Sequence, residues 1–148
     1  MAYSIDTALD RIVALQLALT ITSPIAETVK SALKEPPPLM SALPDMPCWI
    51  NWLEYPAYQR SNSMRERQYI VHMQLFVRDM DRGSGIARAF KDKLDVALDD
   101  DITLAGACTL QRNLRGAERE LEWAGVRFRG LDLMLDVILG YEAATFGP

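Results

Sequence analysis

One stretch of this chain limits the available folds more than any other: residues 67–79, RQYIVHMQLFVRD. Its odd-numbered residues from Tyr69 to Val77 are apolar, whereas its even-numbered residues mix polar and apolar side chains. Alternation of this kind, rich in β-branched and aromatic residues, predicts a β-strand with one buried face. At about 3.4 Å per residue the strand would be roughly 44 Å long, beyond the usual length of about five or six residues. We infer that the sheet serves an assembly as well as the core.

A second long strand is predicted over residues 121–140. Its apolar positions change parity, because Val126 and Phe128 are even-numbered whereas the apolar residues from Leu131 to Leu139 are odd-numbered. A β-bulge at residues 129–130 would return both sets to one side of the strand, and glycine is common at such bulges.

The remaining elements follow from helical spacing and from turn residues. Apolar residues at helical spacing predict helices over residues 5–20 and about 84–99. Either Ser4 or Asp6 can cap the first helix. Residues 27–33 fit either a short strand, which we favour, or a helical turn. Further strands are predicted at 48–55 and up to Leu114, with loops at 34–47 and 56–65 and a turn at 104–107.

Together these elements predict one domain over residues 1–148 of the α+β class. We expect a mainly antiparallel mixed sheet with long strands and two helices packed on one face. Trp49 and Trp52 lie on opposite faces of their predicted strand, which indicates that both faces are covered. Because tryptophan is enriched in interface cores, one of the two is a candidate subunit contact.

The sequence assembles no recognisable catalytic, cofactor or metal site, so we expect a protein that is not an enzyme and needs no cofactor. The only histidine, His72, has no nucleophile or orienting carboxylate that the sequence identifies. Asp132 and Asp136 would lie about 13–14 Å apart on one strand, too far to act as a carboxylate pair. Cys48 and Cys108 have neither a disulfide framework nor metal-ligand spacing.

Charge and hydropathy exclude two further classes of protein. The net charge of −4 argues against a protein that grips nucleic acid by neutralising phosphates. No apolar run reaches the roughly 18 residues of a membrane-spanning helix, and no signal sequence is apparent. We therefore expect a soluble protein that is made in a cytoplasm and does not contact membranes.

The parts of the chain follow one another in a distinctive order: the first helix, the proline-rich loop, the long strand and the second helix. Four short motifs lie among them: LPDMPC (43–48), EYP (54–56), LAG (104–106) and WAGV (123–126). This order resembles that of the tail terminator proteins of long-tailed bacteriophages, also called tail completion or neck proteins, a group that includes the lambda-like minor tail protein U. The resemblance spans residues 5–140 and is thin at 57–65.

The resemblance implies a structural virion protein at the neck of the phage, made in the host cytoplasm. Such proteins form a homohexameric ring that stops growth of the tail tube and joins the tail to the head connector. The implied partners are further copies of the chain, the tail tube protein and a connector or stopper protein. DNA would pass through the lumen without specific binding, which an acidic chain suits because phosphate contacts need lysine and arginine.

Two groups of residues are candidates for these roles. Asp99, Asp100 and Asp101 are candidates for the acidic lumen. The candidate subunit-interface residues are Trp49, Trp52, Ile70, His72 and Phe76.

Two other functions remain open. The chain could be another head–tail joining protein, such as a stopper or adaptor, or a small α+β ligand-binding module.

Overall fold

The computed structural model describes residues 4–38, 41–54, 59–61, 66–78 and 81–140. Two helices and eight strands lie within these ranges. They are α1 (Ile5–Leu17), β1 (Thr20–Ile21), β2 (Glu27–Thr28), β3 (Ser31–Leu33), β4 (Cys48–Leu53), β5 (Gln59–Ser61), β6 (Glu66–Val77), α2 (Gly83–Asp99), β7 (Leu110–Trp123) and β8 (Val126–Gly140).

The main sheet has the strand order β3-β4-β6-β8-β7, and β5 pairs with the beginning of β6. Only β3 and β4 are parallel; the other pairs are antiparallel. Strands β1 and β2 form a separate antiparallel pair. The longest continuous register joins β6 to β8, from Glu66 opposite Gly140 to Val77 opposite Arg129. The α+β class with a mainly antiparallel mixed sheet is therefore confirmed.

Both helices pack on the same face of the sheet, which we call the inner face. The odd-numbered residues of β6 from Tyr69 to Val77 are all buried there, as the alternation predicts. The odd-numbered residues of β8 from Leu131 to Leu139 are buried beside them. Ile12 of α1 and Phe90 of α2 contribute to the same core.

The predicted bulge at residues 129–130 is wrong, because β8 pairs with β6 without interruption through these positions. The change of parity has a different cause: Phe128 packs on the opposite face of the sheet, in a second apolar cluster. Gly130 is needed for space, since a Cβ there would collide with the Leu75 carbonyl oxygen and lie 3.0 Å from Leu121 Cδ1. The register shift lies instead in β7, where Asn113 has a φ of 60°.

The predicted strand over residues 121–140 is in fact interrupted by a tight turn. Strand β7 ends at Trp123 and β8 begins at Val126, and Ala124 and Gly125 have φ values of 50° and 81°. Positive φ at both central residues matches a type I′ turn, whose twist suits a hairpin. Alanine is unusual at the first of these positions, which is why the sequence did not indicate the turn.

Several predicted boundaries also change. Helix α1 is capped by Ser4, whose Oγ accepts a hydrogen bond from Thr7 N at 3.4 Å. It ends at Leu17, before the predicted residue 20. Strand β5 lies within the predicted loop 56–65, and residues 27–33 divide between β2 and β3. Tyr55 and Asp79, the predicted ends of two strands, lie outside the described residues.

A reciprocal amide pair fastens α1 to the sheet. Gln16 Nε2 donates to Asn51 Oδ1 at 2.8 Å, and Asn51 Nδ2 donates to Gln16 Oε1 at 2.8 Å. Asn51 Nδ2 also donates to the Leu33 carbonyl at 2.9 Å. Both side chains are fully buried, so these bonds replace water for groups that would otherwise be costly to bury.

We expect a double-mutant cycle to show strong coupling between Gln16 and Asn51. Asn51→Leu leaves the buried Gln16 amide without its partner, and Gln16→Leu leaves the buried Asn51 amide without its partner. Each unsatisfied buried amide should lower the free energy of unfolding by about 1–3 kcal/mol. The double variant removes both amides and should be more stable than the sum of the single losses predicts, by about 1–3 kcal/mol. Urea unfolding of the four proteins measures this coupling. Additive losses of stability would show that the two amides are not energetically coupled.

Candidate interaction surface

The face of the sheet away from the helices, which we call the outer face, carries the even-numbered residues of β6 and β8. The strand register places Trp52 of β4, His72 of β6 and Met134 of β8 side by side. The next row contains Ile50, Gln74 and Asp132. Apolar, aromatic and charged side chains therefore share this face, whereas the inner residues of β6 from Tyr69 to Val77 and of β8 from Leu131 to Leu139 are apolar.

One end of the outer face is closed by the chain's own proline-rich segment. Phe76 lies in a cluster with Cys48, Ile50 and Leu121, and Leu43 and Met46 pack against it. Trp123 Nε1 donates to the Ser41 carbonyl at 2.8 Å, which fastens this segment to the tip of the β7–β8 hairpin.

An aromatic stack occupies the middle of the outer face. The rings of Trp52 and His72 are parallel within 9°, with centroids 5.0 Å apart. Glu54 Oε2 lies 3.3 Å from His72 Nε2, and the Glu54 amide donates to the Ile70 carbonyl at 2.9 Å. The carboxylate that the sequence did not identify is thus Glu54, which the β4–β6 pairing brings to His72. The described contacts of His72 are an aromatic face and one carboxylate, and they fix its ring on the sheet surface.

Two carboxylates of β8 are each paired with an arginine of β7. Asp136, only 5% exposed, accepts hydrogen bonds from Arg115 Nη1 at 3.1 Å and Asn113 Nδ2 at 3.0 Å. Asp132 accepts a hydrogen bond from Arg119 Nη1 at 3.1 Å. Each acid therefore has its own cation, an arrangement that joins strands and supplies no cooperating carboxylate pair.

The predicted interface residues separate into two groups. Trp49 and Phe76 are 0% and 1% exposed, enclosed by the main core and by the outer cluster respectively. This burial corrects the expectation that either one contacts a neighbouring subunit. Trp52, Ile70 and His72 are partly exposed and adjacent on the outer face, so for them the interface role stays a prediction.

The three candidate lumen aspartates also differ. Asp99 and Asp100 are exposed at the end of α2. The Asp101 carboxylate instead accepts hydrogen bonds from Arg11 Nε at 2.7 Å and from the Ala105 amide at 2.8 Å. Burial acts to raise the pKa of Asp101, but these hydrogen bonds and the Arg11 charge outweigh it, so the pKa lies below its usual 3.8. Asp101 thus holds α1 against the turn after α2, and for all three aspartates a place in a lumen stays a prediction.

The two cysteines are buried free thiols. Burial raises the pKa of Cys48 to about 12, and burial together with the Asp101 charge raises that of Cys108 to about 12. Both thiols are therefore protonated at neutral pH and are poor nucleophiles or metal ligands. Within the described ranges, no group of three or more His, Cys, Asp or Glu residues is placed to hold a metal ion.

An open groove of about 450 Å³ lies beside the β7–β8 hairpin. Ligand pockets are usually apolar with a few polar groups, whereas charged side chains dominate this groove. It does not favour a small-molecule binding module. The lining residues are Gln74, Arg119, Glu120, Leu121, Glu122, Arg127 and Asp132.

Comparisons with protein-family models, with curated protein sequences and with solved structures give no match. Neither of the two described helices is long and apolar enough to cross a membrane.

The two arginine pairs should differ in their effect on stability. Arg115→Met leaves the buried Asp136 carboxylate without its cation, and we expect it to cost about 2–3 kcal/mol. Arg119→Met is the matched control on the same strand, and it should cost less than about 1 kcal/mol because its pair is more exposed. Chemical denaturation measures both variants. Equal losses of unfolding free energy in the two variants would show that the buried Asp136 carboxylate does not depend more on its arginine than Asp132 does.

The ion pair between Asp101 and Arg11 should make the free energy of unfolding depend on pH in a defined direction. The lowered pKa means that the ionised carboxylate stabilises the fold above its unfolded pKa, about 3.9, and that this contribution is lost as pH falls through the folded pKa. The difference in unfolding free energy between wild type and Asp101→Asn should therefore shrink between about pH 5 and pH 3. Arg11→Met should show the same convergence with wild type. A difference that stays constant over this range would show that the carboxylate charge is not involved.

Proposed function

We propose that this chain is the subunit of a ring that terminates a phage tail tube and joins the tail to the head connector. One observation carries the proposal. The outer face of a long-stranded sheet leaves Trp52, Ile70 and His72 partly exposed, while both helices pack on the inner face. A stretch of apolar and aromatic side chains rimmed by charged pairs is typical of a protein–protein contact.

A ring places particular demands on such a surface. A heterologous interface repeats one head-to-tail contact and closes when the rotation between subunits allows. The β4–β6 pairing places His72 of β6 opposite Trp52 of β4, and Ile70 lies on the same face two residues before His72. The order of sequence motifs, which resembles that of tail terminators, supports assignment of this contact to a tail ring.

The acidic end of α2 fits the passage of DNA through such a ring. Asp99 is the last residue of α2 and Asp100 is its C-cap, and both are exposed. Carboxylates in a bore repel phosphate, so DNA slides without the salt-dependent grip that lysine and arginine provide. A ring structure with a predominantly basic bore would contradict this part of the proposal.

The decisive experiment is disruption of the coding sequence in a phage that carries it, followed by electron microscopy of the tails. Loss of a terminator should give tail tubes of uncontrolled length that do not join heads. Tails of normal length that fail to join heads would identify a stopper or adaptor instead, and normal phage would contradict any role at the neck.

Complementation tests the proposed contact within the same experiment. Trp52→Ala should restore fixed tail length poorly, because the variant lacks the large ring of the interface. Val96→Ala removes an apolar side chain that is 59% exposed on α2, and it should restore normal tails. Equal rescue by both variants, at equal levels of folded protein, would remove Trp52 from the ring contact.

A further inference from the structure

The two edges of the main sheet are very different. Strand β3 has three residues and is tied to the proline-rich segment, since Ser31 Oγ donates to the Asp45 carbonyl at 2.8 Å. Strand β7 has 14 residues. Its beginning is covered, because the Gln111 amide donates to the Ile102 carbonyl at 2.8 Å. From Gly116 to Glu122 no described strand pairs with its outward side.

The hairpin turn determines which backbone groups of this edge face outward. The two residues that flank a two-residue turn, here Trp123 and Val126, form a hydrogen-bonded pair, and such pairs then alternate along the ladder. Trp123 and every second residue before it direct their amides and carbonyls toward β8. The outward amides and carbonyls therefore belong to the residues in between, which are Gly116, Glu118, Glu120 and Glu122.

The side chains of this edge form two rows of opposite charge. Glu118, Glu120 and Glu122 share the inner side of the strand. Glu118 Oε1 lies 3.9 Å from Arg88 of α2, and Glu120 Oε1 lies 3.4 Å from Arg127 of β8. Arg115 and Arg119 share the outer side, where they bind the carboxylates of β8. The edge therefore presents outward backbone groups together with a row of three acidic side chains.

This arrangement disfavours antiparallel pairing with a second copy of the same strand. Antiparallel pairing of two identical edges keeps the inner sides together, so the glutamate row of one copy would lie beside the glutamate row of the other. Like charges that lie opposite each other in a sheet are destabilising, whereas opposite charges contribute about 0.2–1 kcal/mol per pair. The glutamate row thus protects the edge against antiparallel self-association and favours a strand of complementary charge.

We propose that residues 116–122 of β7 form a docking edge for an extended segment of a different protein. The segment adds a strand by backbone hydrogen bonds and carries lysine or arginine at alternate positions, beside Glu118, Glu120 and Glu122. The docking edge is distinct from the ring contact on the outer face, so it stands whether or not the chain forms a tail ring.

The probe for this proposal is a nine-residue peptide with alternating lysine and threonine. A peptide of the same length with alternating serine and threonine is its control. We expect the lysine peptide to bind the full chain and to slow amide hydrogen exchange at residues 116–122, because strand addition protects the outward amides. The control peptide should bind at least about tenfold more weakly, since it lacks the charge complement.

Two variants separate strand addition from simple charge attraction. Glu120→Pro removes one outward amide, and proline is tolerated on edge strands whose N–H faces away from the ladder. Glu120→Pro should reduce the affinity for the lysine peptide at least about tenfold. Glu120→Gln keeps the backbone amide and should reduce that affinity less. Glu118→Lys combined with Glu122→Lys reverses the row without changing the backbone and should abolish binding, which tests the proposal even if the proline variant unfolds.

Three outcomes would overturn the proposal. Equal binding of the two peptides would show that the acidic row does not select its partner. Equal affinity of folded Glu120→Pro and Glu120→Gln, without exchange protection at residues 116–122, would show surface charge attraction only. A wild-type dimer in sedimentation that Glu120→Pro dissociates would show that a second copy occupies the edge.

Discussion

The pairing of β6 with β8 is the constraint on which the rest of the structure depends. It runs without interruption from Glu66 opposite Gly140 to Val77 opposite Arg129. Because side chains alternate along a strand, a shift of one residue would turn every side chain of β8 to the other face. Asp132 and Asp136 would then enter the helix-covered core without their arginines. The register is therefore fixed by apolar burial on one face and by charge pairing on the other.

The two faces of this sheet are covered in different ways. On the inner face the helices exclude water, and the buried amides of Gln16 and Asn51 bond to each other. The outer face is covered partly by the chain's own proline-rich segment and partly by charged pairs. The partly exposed aromatic stack of Trp52 and His72 lies between these regions, which is why the proposed ring contact is located there.

The sequence predicted those features that repeat along the chain and missed those that depend on single residues or distant partners. Alternation predicted β6, and helical spacing predicted α2 almost to its ends, because many residues contribute to each pattern. The turn at Ala124 gave no signal, since alanine rarely takes a positive φ. The contact between Glu54 and His72 and the separation of Trp49 from Trp52 follow from which strands pair and what covers them, and a single sequence does not contain that information.

The hydrogen bond from Trp123 to the Ser41 carbonyl has a thermodynamic consequence. It connects the tip of the longest hairpin to the segment that leads into β4. Displacement of the Trp123 ring breaks this bond, so a ligand that displaces the ring also removes the donor from the Ser41 carbonyl. When binding at either end requires the bond to break, both binding events carry the same free-energy cost, and by linkage each changes the affinity of the other by the same factor. One hydrogen bond thus joins two segments that lie 82 residues apart in the sequence.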